Sequence, residues 1–229
     1  MKSFAVFALL ANVSAIQVDA EAQYGTCDAP VAKHMAYLFA NHWSEYNNAP
    51  YGTMWKDPVF TPDNALFIPT DAYLGGKDSN NTDVVNDYRT KVVKWMRPKD
   101  IDTEKSPSLW GSGGPQPAGI NQGALGDCWL MASMGAVAEF PDRVKAIFTD
   151  KYYSNEGIFR VNLHLKGEKI GFDVDDRLAM HCDKEKAGCS LQPMNSRPSK
   201  NGAWWVPILE KAYAKFTGTY VHLNGGHSI

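Results

Sequence analysis

Apolar and polar positions change rhythm several times along this chain, and each change predicts an element. Between residues 29 and 42, Val31, Met35, Leu38 and Phe39 are spaced to share one helical face. From Asn47 to Asn86 the periodicity disappears. Pro50, Pro58, Pro62 and Pro69 rule out long regular elements there, so an extended segment packed by Tyr51, Trp55, Phe60 and Phe67 is expected. Val92–Trp95 reads as a short strand or helix end stopped by Pro98, and residues 102 to 121 read as loop. The strongest helix follows, from Cys128 through Ala138, with Asp127 as N-cap. It is apolar almost all round, which predicts a buried central helix ended by Pro141. A short helix is expected over Val144–Phe148. Ile158–Leu165 alternates as a half-buried strand, with Lys169–Val174 as its hairpin partner. Residues 181 to 202 read as polar loop, and Ala203–Phe216 as an amphipathic helix with Pro207 early and Gly218 after it. The class expected is α+β, mainly helical, with a small antiparallel hairpin around a central helix.

The N-terminus carries a different pattern. Lys2 is followed by an apolar run from Phe4 to Val13, and small residues at Val13-Ser14-Ala15 and Ala20-Glu21-Ala22 offer cleavage sites. Residues 1–22 therefore read as a secretory signal peptide, with 23–54 as an N-terminal extension. The apolar run is too short for a transmembrane span, which needs about 20 residues. At 229 residues the chain has room for one core of ordinary size plus an extension. A net charge of −2 gives no reason to expect nucleic acid as a partner. Secretion would permit disulfides. Cys182 and Cys189 flank a short polar loop and could close a small ring. That would leave Cys27 unpaired and Cys128 as a free thiol; equally, all four could be thiols, or Cys27 could pair elsewhere. Asn80-Asn81-Thr82 is a glycosylation sequon if the chain is secreted.

The chemistry concentrates at Gln122-Gly123-Ala124-Leu125-Gly126-Asp127-Cys128-Trp129-Leu130. A thiol is a poor nucleophile until ionised, and a helix N-terminus favours the thiolate. Gly123 and Gly126 would let the backbone approach a bound peptide without a Cβ in the way. The N–H of Cys128 and the side-chain amide of Gln122 could together hold a carbonyl oxygen as it becomes negative. The bland alternative, a buried structural thiol, fits a lone cysteine before an apolar helix but not this company of residues.

That segment resembles the active-site segment of the calpains, papain-like cysteine proteases. Further stretches resemble the same family, in the same order. Lys94-Trp95-Met96-Arg97-Pro98 is similar to its Trp-Lys-Arg-Pro segment, and Gly157-Ile158-Phe159 with Asp173–Leu178 to its hairpin and acidic turn. Trp205–Lys215 is similar to its Trp-x-x-Leu-Leu-Glu-Lys-Ala-Tyr-Ala-Lys helix. The resemblance runs from about residue 55 to 229. It implies a papain-like cysteine-bearing lobe, the first catalytic subdomain, acting on polypeptide with Cys128 as nucleophile and Gln122 as oxyanion donor.

The resemblance also implies what to look for and not find. The family's catalytic His and Asn lie downstream of the Lys215 helix, and only 14 residues follow Lys215 here. His227 follows a glycine, as the family's histidine does, but Asn224-Gly225-Gly226 matches the Ser-Gly-Gly just after that helix better. His227 is therefore a poor candidate base. His164 should face solvent on its strand, and His34, His42, His181 and His222 match no family site. A second subdomain is implied as a missing partner, and the chain alone is expected to be weak or inactive. Calcium is the family's activator, and one acidic ligand lies three residues before the Gln. Gly119 stands there, which leaves Glu210 and carbonyls near Gly113 and weakens the site. Asp173, Asp175 and Asp176 lack the spacing of a calcium loop and read as a solvated turn, with Arg177 paired locally. Secretion departs from the family's mostly cytosolic setting. The alternatives to an enzyme are a secreted, non-catalytic peptide-binding module and a truncated gene product.

Overall fold

The computed structural model describes residues 41–46, 52–62, 65, 92–102, 106–165, 167–182 and 191–226. The expected signal peptide, most of the extension, the sequon, Cys27, Cys189, His34 and His227 lie outside the described residues. Within them the architecture is α+β: short α-helices and two small antiparallel sheets. The helices are α1 (His42–Tyr46), α2 (Pro98–Ile101), α3 (Cys128–Ala138), α4 (Pro141–Ile147) and α5 (Trp205–Thr217). No described helix is long and apolar enough to cross a membrane.

The expected hairpin is present. β2 (Ile158–Leu165) pairs with β3 (Glu168–Asp175) from Ile158↔Asp175 to Leu165↔Glu168, closed by a turn in which Gly167 takes φ 86°. A second sheet has the order β1 (Val92–Met96), β4 (Leu178–His181), β5 (Gln192–Pro193). The Val92 segment is thus a strand. The chain between His181 and Ala203 is not all polar loop either: β5 and the buried Met194, Asn195 and Ser196 run through it.

α3 starts where expected and ends at the turn into α4, where Pro141 occupies the first helical position. Its burial differs from expectation. Leu130, Met131, Met134 and Ala138 enter the core, but Cys128, Ala132 and Ala136 form an exposed stripe at four-residue spacing. The helix is central in sequence yet lies at the surface of the lobe. An apolar helix of small residues can leave one face uncovered cheaply, because alanine exposes little apolar area. α5 is the better buried helix. Trp205, Val206, Ile208, Leu209, Ala212 and Ala214 are sealed within it, and Gly218 closes it at φ 101°. Phe159, Val161, Val174, Leu125, Leu130, Met134, Tyr220 and Leu223 complete the same core.

The acidic turn is a correction. Asp173, Asp175 and Asp176 are 1%, 0% and 1% exposed, not solvated, and each meets a cation. Arg160 Nη1 lies 2.8 Å from Asp173 Oδ1, Lys211 Nζ lies 2.5 Å from Asp175 Oδ1, and Arg97 pairs with Asp176. Arg177 pairs with Asp175, as expected locally. Lys215, one turn beyond Lys211, donates to Asp57 Oδ2 at 2.7 Å and to the Asp173 carbonyl at 2.6 Å. Both lysines leave the same face of α5 and clamp it onto β3 and the Trp55–Phe60 segment. Burial alone would raise the Asp175 carboxyl; Lys211 and Arg177 overcome it and hold the group down to about 2.

Removing one partner leaves the others as uncompensated buried charge. Asp175→Ala should therefore lower unfolding stability by about 3–5 kcal/mol in urea titration. In the unsubstituted chain the Asp175 contribution is present above the ordinary carboxylate pKa and is lost as pH falls towards 2. The difference between the two proteins should shrink over that acid range.

Candidate active site

Cys128 is the first residue of α3, and its side chain is exposed. The helix is founded on backbone: the N–H groups of Leu130 and Met131 donate to the Asp127 carbonyl at 2.9 and 3.1 Å. Asp127 precedes the helix but does not cap it through its side chain, contrary to the sequence expectation. Its carboxyl is buried and turned inward, where Gln122 Nε2 approaches Oδ1 at 3.4 Å. The same Nε2 donates to the Leu125 carbonyl at 2.7 Å. The Gln122 amide thus closes its own loop, six residues before the thiol. A group from another element holds Asp127 there instead of at the cap.

That group is Glu210, from the middle of α5. It is 1% exposed, and Ser196 donates to its Oε2 from both the backbone N–H, at 2.8 Å, and Oγ, at 2.5 Å. Burial, and then the facing Asp127 charge, push the Glu210 carboxyl well above its usual range. Asp127 is raised as well, chiefly by burial. Glu210 Oε1 and Asp127 Oδ2 have no hydrogen-bond partner among the described residues, and a proton held between the facing carboxyls would satisfy both. Two adjacent buried carboxylates would otherwise repel.

The loop is fixed from two further sides, and here the glycines act differently from expectation. They bring the loop against the protein itself. A Cβ on Gly123 would lie 1.8 Å from the Asn195 carbonyl oxygen, and Ala124 N–H donates to the Met194 carbonyl at 2.8 Å. A Cβ on Gly126 would lie 2.5 Å from Asn224 Oδ1. Asn224 Oδ1 accepts the Gly126 N–H at 3.2 Å, Gly225 N–H donates to the Gly126 carbonyl at 2.9 Å, and Trp129 Nε1 donates to the Leu223 carbonyl at 2.9 Å. Asn224 and Ser196 were missed in the sequence. Nothing in local pattern marks them, because their partners lie 98 and 14 residues away.

The histidines do not gather at the thiol. Among the described residues none bonds Cys128: His222 Nδ1 meets the Thr217 carbonyl at 2.6 Å, His42 stacks on Trp55, and His164 is exposed. His227 lies outside the described residues. Cys182 is disulfide-bonded to a partner outside them, where Cys189 also lies. Gly119 contributes no carboxylate, and Glu210 is committed to Ser196 and Asp127. The described residues hold no cluster of three or more acidic, His or Cys side chains suited to a metal.

Gly126→Ala forces its new methyl into Asn224. It should cost about 1–3 kcal/mol of stability, read as a lowered thermal midpoint. Adding Asn224→Ala should recover part of that loss, because the obstructing amide is gone. Absence of any recovery would show that the Asn224 contact is not the obstacle.

Comparison with known proteins agrees with this geometry. The sequence profile of the calpain family cysteine proteases matches residues 55–229. A calpain-type cysteine protease of Oryza sativa subsp. japonica, ADL1, is 37% identical over 139 residues, 59% of this chain and 6% of that protein. The calpain-2 catalytic subunit of Gallus gallus is 35% identical over 144 residues, 62% of this chain and 19% of its own length. Its Homo sapiens counterpart is 33% identical over 180 residues, 76% and 22% respectively. The matched part of the chain therefore spans 6% to 22% of the length of these relatives. With the profile matching most of the chain, and with a thiol exposed at the start of a helix behind a loop of buried contacts, the chain belongs to the calpain family of cysteine proteases.

Proposed function

We propose that this chain is the nucleophile-bearing lobe, mainly helical and papain-like, of a calpain-type cysteine endopeptidase. The observation that carries this reading is the placement of Cys128: an exposed thiol at the N-terminus of an 11-residue helix, behind a loop held by the Met194 carbonyl, Asn224 and Asp127. The helix end favours the thiolate. Attack of Sγ on a peptide carbonyl carbon forms a tetrahedral oxyanion, whose collapse gives a thioester and releases the amine; water then hydrolyses the thioester. The Cys128 N–H and the Gln122 amide are the donors for the oxyanion in this reading, once that amide leaves the Leu125 carbonyl. Both the amine-leaving and the water steps need a general base and acid.

In this reading the base belongs to a second catalytic subdomain, and the exposed Cys128–Ala132–Ala136 face is where that subdomain packs. The chain alone then labels but does not turn over. A thiol-reactive peptide analogue should modify Cys128 at neutral pH and spare Cys128→Ala. Robust hydrolysis of a peptide substrate by the chain alone would overturn the need for a second half; an inert Cys128 would overturn the protease reading itself. The Gln122 amide, bonded to the Leu125 carbonyl, favours a second reading, a peptide-binding module without turnover, set apart by saturable peptide binding in the Cys128→Ala protein with no thiol labelling in the parent. The Lys2 and Phe4–Val13 pattern favours the secretory pathway for either. Because the Glu210 environment does not suit calcium, neither excess calcium nor a chelator should shift the thermal midpoint of the chain. A rise of several degrees with calcium would show a site that these residues do not suggest.

A further inference from the structure

The segment between α4 and β2 and the ring of Trp43 line a cavity of about 340 Å³, with walls from Thr149 to Glu156 and from Ile158. The segment is fixed from several sides. Trp110 Nε1 donates to the Lys151 carbonyl at 2.8 Å, and the Trp55 N–H donates to the Glu156 carbonyl at 2.8 Å. Tyr153 Oη donates to Asp176 Oδ2 at 2.9 Å, and Ser154 Oγ accepts the Ile158 N–H at 3.3 Å. Trp43 is fixed as well. Its backbone N–H donates to Asp173 Oδ2 at 2.9 Å and its ring Nε1–H to Asp150 Oδ1 at 2.7 Å. Tyr152 lines the cavity and is 82% exposed, and Lys151 and Asn155 are exposed beside it, so the cavity opens to solvent there.

The walls combine aromatic rings, Trp43, Tyr152 and Tyr153, with two carboxylates, Asp150 and Glu156; Lys151, the basic residue among them, is exposed. Asp150 is the group that the lobe leaves unbalanced. It is 9% exposed. Of the other buried aspartates, Asp57, Asp173, Asp175 and Asp176 each meet a lysine or arginine, and Asp127 faces Glu210. Asp150 receives two N–H donors, Trp43 Nε1–H on Oδ1 and the Arg160 backbone N–H on Oδ2 at 2.9 Å, which suit an ionised carboxylate. Among the described residues no cation pairs with it: the Arg160 guanidinium is spent on Asp173 and Asn41. A buried charge is costly unless it is paired, and a carboxylate oxygen with one donor still has a lone pair to offer. Glu156 is half-buried, with a Ser154 hydroxyl on Oε2 at 3.3 Å.

We propose that this cavity binds a primary alkylammonium group, from a lysine side chain of a polypeptide or from a free amine, with Asp150 as its counter-charge. The chemistry of the walls selects that group. An ammonium supplies the missing cation together with N–H donors for the free lone pairs of Asp150 and Glu156. Its alkyl stem packs on the Trp43 and Tyr152 rings, and the rings attract the positive charge. A quaternary ammonium has no N–H to give to Asp150, and an anion would meet two carboxylates. None of the walls belongs to the Gln122–Trp129 loop or to its supports at Met194, Asn224 and Glu210. The site therefore stands or falls independently of the protease reading.

Titration of the full chain with n-butylammonium chloride at pH 7.5, followed by NMR at the Trp43 indole N–H, tests this. Burial lifts the Asp150 carboxyl to about 6, so the group is charged at that pH. The resonance should shift saturably, while sodium chloride and n-butanol at the same concentrations leave it in place. Asp150→Asn keeps an oxygen for Trp43 Nε1–H but loses the charge, and should weaken binding about tenfold. Tyr152→Ala, at an exposed position, should weaken it about threefold. A blocked tripeptide with a central lysine separates the two sources: binding as tight as butylammonium or tighter assigns the site to a polypeptide lysine, and weaker binding to a free amine. Absence of a saturable shift in the parent overturns the proposal. An equal response to n-butanol overturns the role of charge, as does unchanged affinity in Asp150→Asn. Should Asp150→Asn fail to fold, Glu156→Gln and Tyr152→Ala decide, and unchanged affinity in both overturns the site.

Discussion

The interaction on which the rest of this lobe depends is the buried set of ion pairs between α5 and the hairpin. Lys211 and Lys215 leave one face of the helix and enter a region where Asp57, Asp173, Asp175 and Asp176 are all sealed from water. Arg97, Arg160 and Arg177 complete the neutralisation from three other places in the chain. Charges this deep are costly unless paired, so each pair tolerates little variation in where its elements sit. α5, β3, β1 and the Trp55 segment are thereby held in one relation. Residues 41–46 join the same network, since Asp173 also accepts the Trp43 N–H and Arg160 also donates to Asn41.

α5 carries a second duty on the adjoining side. One residue before Lys211, Glu210 reaches Asp127 and Ser196. The helix that anchors the ion pairs therefore also anchors the residue before the nucleophile. Asp127 in turn faces Gln122, and Asn224 fixes Gly126. The thiol is exposed, but the loop presenting it is tied to the Met194 carbonyl, to Asn224 and to its own Gln122 amide. A reactive group needs this combination, because access without fixed geometry gives little rate advantage.

Much was legible along the chain. The alternation over Ile158–Leu165 and the turn at Gly167 located the hairpin, and the Gln122–Leu130 segment located the thiol at the start of a helix. Two readings went astray for one reason. Asp127 holds the N-cap position, but its side chain, which looked like a capping group, is turned away from it, and Asp173–Asp176 looked like a solvated turn. Each was judged from sequence neighbours, whereas its environment is set by residues 36 to over 100 positions away: Glu210 for Asp127, and Lys211, Arg97 and Trp43 for the aspartates. Local rules count an aspartate near glycine as a turn or cap residue. They have no means of counting a lysine brought across by a helix.

The sequence by itself determined which chemistry is present: a cysteine at a helix start, its glycine-rich loop, and the order of segments that places the chain among calpain-family cysteine proteases. These rest on residue identity and short-range periodicity, which survive without knowledge of the fold. The tertiary structure alone decided how the pieces are held. It set Glu210 against Asp127 and the Ser196 N–H and hydroxyl. It set the loop glycines against Asn195 and Asn224, and it brought Trp43 to Asp150. Those outcomes depend on desolvation and on long-range pairing, and both quantities exist only once distant segments have been brought together.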